Sequence, residues 1–189
     1  MGMDKRFISA FGTAVHMRLL GRTLQPFCLK HRVILHGMQS PLVSGEREVE
    51  PIDILRAVQV CAGEPVGRMT LKDRYWMIMM TNRPIIFVKC VEAFKAHVGI
   101  DRWPKFWEKE SGEGTTNHGV PWVLLVVSNL ITNGVPPERA WMMPEYQAIW
   151  LNAAFAISNG AKTNILSTEE EEFMEKVAGD SEVKEPDPK

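Results

Sequence analysis

"EPIDILRAVQVCAGEP", residues 50–65, decides the fold class. Pro51 suits the first position of a helix, where its missing N–H would have no partner anyway and its fixed φ is already helical. Asp53 suits the positive end of the helix dipole, and Gly63 with Pro65 ends the element. Ile54, Ala57, Val58 and Cys61 fall at i, i+3, i+4 and i+7, which predicts one buried stripe. Runs of apolar residues at helical spacing, bounded by Gly and Pro, recur on both sides of this segment. Alternating β-branched stretches of the kind that make strands are few.

Upstream, the pattern predicts a first helix from about Asp4 to Leu20, ended by Gly21. A second follows in "LQPFCLKHRVILHGM", residues 24–38, opening just after Pro26 and stopping near Gly37. Downstream, "LKDRYWMIMMTN" (71–82) and "PIIFVKCVEAFKAHVG" (84–99) read as two helices divided at Pro84. The β-branched Ile85, Ile86 and Val88 would also suit a strand within 85–97, and helix is the reading adopted. Between Lys109 and Gly119 the pattern dissolves into a Gly-, Ser- and Thr-containing flexible loop, where a subdivision of the domain is left open.

Beyond the loop, "PWVLLVVSNLITNG" (121–134) is a strongly apolar helix. "PPERAWM" (136–142) is a short one, and "PEYQAIWLNAAFAISNG" (144–160) starts a third with Pro144 as its first helical residue. In the last of these Tyr146, Trp150, Ala153, Ala154 and Ile157 keep helical spacing, as a face packed on "VLLVVSNLI" would. In "STEEEEFMEKVAG" (167–179), Ser167 and Glu170 have the spacing of a reciprocal capping box. The expected architecture is all-α, a compact bundle of about seven to nine short helices over 1–166. An acidic amphipathic helix over 167–178 and a disordered acidic tail over 179–189 complete it.

At 189 residues and 45% hydrophobic content the chain can bury a core without metals or disulfides. Cys28, Cys61 and Cys90 are odd in number and widely spaced, which fits buried thiols in a reducing compartment. Lys5 and Arg6 precede an apolar stretch as in a signal peptide, but His16 and Arg18 interrupt it. The longest apolar run, "VPWVLLVV" at 120–127, falls far short of the ~20 residues of a membrane span. From Glu169 onward nine acidic residues face three basic ones, a balance of −6, which leaves +5 on the body of a chain whose net charge is −1. An acidic end on a mildly basic body results.

No catalytic or metal signature stands up. Cys28, His31 and His36 have the residue types of a zinc site, but on one helix a five-residue step turns the two imidazoles about 140° apart. "SGEGTTNHG" (111–119) lacks the lysine of a phosphate loop, and no strand precedes it. Asn117 and His118 have no carboxylate or nucleophile in a spacing that makes a constellation. The basic N-terminal residues, Lys5, Arg6, Arg18, Arg22, Lys30 and Arg32, offer charge for phosphates without a recognised nucleic-acid module, so they read as a solvated helix face.

The Met- and Trp-rich segments carry more. Eleven methionines in this chain include Met77, Met79, Met80, Met142 and Met143, set beside Tyr75, Trp76, Trp141, Tyr146 and Trp150. Unbranched, polarisable side chains next to aromatics make surfaces that remould around apolar partners. Trp76, Met80, Trp141, Met142, Met143, Tyr146 and Trp150 are the candidate partner-binding residues, with Trp141 to Met143 at the turn the freest of them.

"LQPFCLKHRVILHGMQSPLV" followed by "PIDILRAVQVC" is similar to segments of small phage and prophage proteins encoded among tail genes. "VLLVVSNLITNGVPPERAWMMPEYQAIWLNAAFA" resembles the helix, W-x-M-P-like turn, helix arrangement of phage tail assembly chaperones. The resemblance covers about two thirds of the chain and rests on Pro26, Phe27 and Leu29 in the first segment and Trp141, Met143 and Pro144 in the turn. It implies a helical, non-enzymatic protein of the host cytoplasm, without a cofactor, that binds the tape measure protein and tail tube proteins during tail morphogenesis. A homo-oligomer is compatible with it, a membrane partner is not. The alternatives are a structural virion component, such as a tail or head-tail joining protein, and a nucleic-acid-binding regulatory protein.

Overall fold

The computed structural model describes residues 4–12, 17–106, 119–161, 165–172, 174 and 176. The fold is mostly helical. Helix α1 (Lys5–Gly12) precedes a hairpin of β1 (Met17–Leu19) and β2 (Arg22–Leu24), and α2 (Leu29–Gly37), α3 (Pro41–Ser44) and α4 (Pro51–Cys61) follow. Next come α5 (Leu71–Asn82) and α6 (Pro84–Val98), a 3-10 turn (Ile100–Arg102) and β3 (Lys105–Phe106). Helices α7 (Trp122–Thr132), α8 (Pro137–Met142) and α9 (Glu145–Ser158) then lead to β4 (Ile165–Leu166), which pairs antiparallel with β3.

The predicted stripe of α4 is fully buried: Ile54, Ala57, Val58 and Cys61 are 0% exposed. Asp53 closes the helix start by accepting from the Glu50 N–H at 2.9 Å, and Arg47 holds the same carboxylate from outside at 2.7 Å. Residues 84–98 are helix throughout, so the choice against a strand holds. Among the described residues of the expected 4–20 helix, Lys5–Gly12 is helical and 17–20 are not. Met17 to Leu24 instead turn back at Leu20 and Gly21, both at positive φ (48° and 70°), as a two-residue hairpin turn requires. Leu20 holds that backbone with its side chain buried in the largest core.

Pro144 is not the first helical residue of α9. It sits in extended backbone (φ −50°, ψ 131°), and the helix begins at Glu145. The physical reason is tertiary: Pro144 bridges antiparallel to Cys28, and the Glu145 N–H donates to the Phe27 carbonyl at 2.8 Å. The turn with Trp141, Met143 and Pro144 is thus stitched to the segment with Pro26, Phe27 and Leu29.

The largest core joins the hairpin, Phe27, Leu35, α4, Met80 and the inner face of α6. A second is built on Leu29, α7, α8 and Ala148, and a third gathers Ala10, Tyr146 and Trp150. Ser167 and Glu170 form the predicted capping box, with the Ser167 N–H donating to the Glu170 carboxylate at 2.8 Å and residues 168–172 helical behind it. The loop expected over 109–119, Gly119 apart, and the tail over 179–189 lie outside the described residues.

Candidate functional site

Helices α2, α7 and α8 converge on one side of the second core and leave a groove between them. Its widest part, about 650 Å³, is bounded by Arg32, Val33 and His36 of α2, by Val120 to Leu124 at the start of α7, and by Trp141 of α8. A neighbouring depression of about 450 Å³ runs between Lys30, Val33 and Ile34 on one side and Glu138, Trp141 and Met142 on the other. A smaller one of about 240 Å³ lies beyond Met142, against Arg139, Met143, Pro144 and Gln147. Trp141 and Val33 line both of the first two and Met142 both of the last two, so the three depressions adjoin one another at the turn residues.

Each wall follows from helix geometry. α2 buries Leu29, His31 and Leu35, which turns Val33 and Ile34 to solvent. α7 buries Val123, Val126, Val127 and Leu130, yet Trp122, Leu124 and Leu125 on its other faces are also apolar and exposed. α7 is therefore apolar on more faces than its own core uses. Val33, Trp122, Leu124 and Met142 are each between 40% and 50% exposed.

The groove floor is polar and fixed. Arg32 donates to both oxygens of Glu145, at 2.5 and 2.6 Å, and Glu145 is 0% exposed. The same guanidinium lies 5.6 Å from the ring centroids of Phe27, Trp103 and Trp122. Burial pushes the Glu145 carboxyl above its ordinary value, and the Arg32 hydrogen bonds and charge work against that shift. The pair ties α2 to the first turn of α9 and holds Trp122 at the groove entrance.

The sequence-derived candidates divide. Trp141 is half-buried and Met142 exposed, both lining the groove. Met143 is buried and shows an edge only to the smallest depression. Tyr146 and Trp150 are buried in the third core, where the Trp150 indole N–H donates to the Arg102 carbonyl at 2.8 Å and Arg102 stacks over Tyr146 at 5.3 Å. Met80 is 2% exposed, and Trp76 packs half-buried against the largest core. These last four are interior packing, away from the groove. Val33, Ile34, Trp122 and Leu124 were missed as site residues. For Trp122 and Leu124 the signal was present in the uninterrupted hydrophobicity of 120–127, which exceeds what one buried face needs.

Among the described residues no group of three or more His, Cys, Asp and Glu side chains is arranged to hold a metal ion. His31 is buried while His36 is exposed, as the angular argument required. Burial raises all three thiols, that of Cys28 partly offset by hydrogen bonding at the start of α2. Most basic N-terminal residues are already engaged: Arg6 with Asp4, Arg22 with Glu64 and Asp73, Arg32 with Glu145 and Lys5 with Glu172. Among the described residues no helix is long and apolar enough to cross a membrane. No family model, no curated protein and no solved structure matches this chain.

Proposed function

We propose that this chain is a non-enzymatic phage tail assembly chaperone that holds apolar helical segments of the tape measure protein, and of tail tube proteins, in the groove between α2, α7 and α8. The observation that carries the reading is the groove itself. It is apolar along its walls, lined by a tryptophan and a methionine, and open on one side, which fits the apolar face of an amphipathic helix laid lengthwise. Methionine and exposed aliphatic side chains adapt to different sequences at modest cost, as a holdase acting before polymerisation requires. The pairing of the Pro26–Leu29 segment with the Trp141–Pro144 turn supports the resemblance, since the residues that carry it meet in space.

The test is co-expression with the tape measure protein of the same gene cluster. Val33→Asp with Trp141→Ser should reduce the co-purified tape measure protein at least tenfold, since charge and lost aromatic area fall at the centre of the groove. Circular dichroism would confirm that the variant is folded. A folded double variant that still retains its partner at wild-type yield overturns the proposal. Mass spectrometry of purified particles separates it from the virion-component reading, because an assembly chaperone is absent from mature tails.

A further inference from the structure

The hairpin of α5 and α6 carries a second unpartnered face, separate from the groove. On α5, Leu71, Tyr75 and Ile78 follow one another at i, i+4 and i+7 and are 84%, 56% and 60% exposed. They lie opposite Asp73 and Met80, the residues α5 buries. On α6, Ile85 and Val88 are 73% and 49% exposed, opposite the buried Cys90, Phe94 and His97. A single residue, Arg83, links the two helices, and both pack on α4. Each helix thus leaves an apolar stripe uncovered, and the two stripes lie on adjacent helices of one hairpin.

The rim of this face is basic. Arg68, Arg74, Arg83 and Lys89 are exposed and enter no ion pair among the described residues. The one exposed acid on either helix is Glu92, since Asp73 is buried against Arg22. A two-fold contact of this face with itself would set arginine against arginine, which disfavours it. The occupant must be apolar and acidic, and the chain contains such a segment. From Glu169 onward nine acidic residues accompany Phe173, Met174 and Val177, at a balance of −6. Glu171 and Glu172 are held by Arg6, Lys105 and Lys5, while Glu169, Glu170 and Met174 are exposed.

We infer that the α5–α6 face binds the acidic C-terminal segment of a second copy of this chain, in a head-to-tail contact. The apolar residues of that segment meet the exposed side chains of α5 and α6, and its carboxylates flank them on Arg74, Arg83 and Lys89. The two surfaces differ, so an open assembly keeps one face free at one end and one segment free at the other, and it extends or closes into a ring.

Sedimentation equilibrium of the full chain tests this at about 50 mM salt, where opposite charges are screened least. The weight-average mass should rise with protein concentration to at least twice the 21.4 kDa of one chain, and fall back at high salt. Ile78→Glu with Ile85→Glu, at exposed positions, should give a monomer. So should the combination Glu175→Gln, Asp180→Asn, Glu182→Gln and Glu185→Gln, which spares the acids paired within the chain. Mixing these two monomeric variants leaves one intact face and one intact segment, and should restore a dimer that grows no further. A wild-type chain that stays monomeric, whether or not it binds anionic vesicles or another acidic protein, overturns the inference. So does self-association that the mixture of variants fails to restore.

Discussion

Arg32 sits where three demands meet: a buried carboxylate, a ring of aromatic faces and a groove open to solvent. Its partner Glu145 has no access to water, so removing Arg32 strands the Glu145 charge in a low-dielectric setting. Arg32→Met should cost about 3–5 kcal/mol in urea unfolding, the usual range for breaking a buried pair. Arg32→Met combined with Glu145→Met should cost less than Arg32→Met alone, because no orphaned charge is left. A double variant as unstable as the single would show that the aromatic contacts of Arg32, rather than the ion pair, carry its effect. The place of Glu145 in the first turn of α9 follows from local sequence, whereas its partner lies 113 positions away, where no local pattern points.

At the level of elements, helix starts were the most legible feature and the N-terminal region the least. Thr70 caps α5 by accepting from the Asp73 N–H at 3.3 Å, and Asp73 in return accepts from the Thr70 N–H at 2.9 Å. Burial works to raise the Asp73 carboxyl, but the Thr70 hydrogen bonds and Arg22 outweigh it and hold the group below its ordinary value. Thr70→Ala should therefore cost about 1 kcal/mol, the typical worth of a cap. Asp73→Ala should cost about 3 kcal/mol or more, because Arg22 then keeps a buried guanidinium with half its partners gone. Equal costs in thermal or urea unfolding would contradict this ranking. The β1–β2 hairpin escaped a periodicity argument because its turn residue Leu20 carries no local preference for positive φ. A hairpin of three-residue strands that buries Leu19, Leu20, Arg22 and Leu24 is stable only against α4 and α6, which a local reading does not contain.

For the whole molecule, buried histidines couple stability to pH. Burial, with smaller contributions from the charges of His97 and Lys30, lowers His31 from its ordinary value to about 4, and burial lowers His97 as well. An unfolded chain binds protons at these sites before the folded one does, so stability is complete above about pH 6.5 and falls as pH drops toward 4. His31 alone accounts for a loss on the order of 3 kcal/mol across that window. Urea midpoints measured from pH 7 to 4 should fall, and should fall less in His31→Gln; a variant with an unchanged slope would refute the assignment. The helical class, the position of nearly every helix after residue 28 and the stripe of α4 were determined by the sequence itself, because proline, glycine, caps and 3.6-residue periodicity act over a few residues. Which aromatics are free was decided by tertiary structure alone. Trp141 and Trp150 share one stretch and one chemistry, yet Trp150 is sealed by α1 and the Arg102 carbonyl while Trp141 is left at the edge of α2 and α7. Periodicity reports which face of a helix is apolar, whereas exposure depends on how many distant elements arrive to cover it.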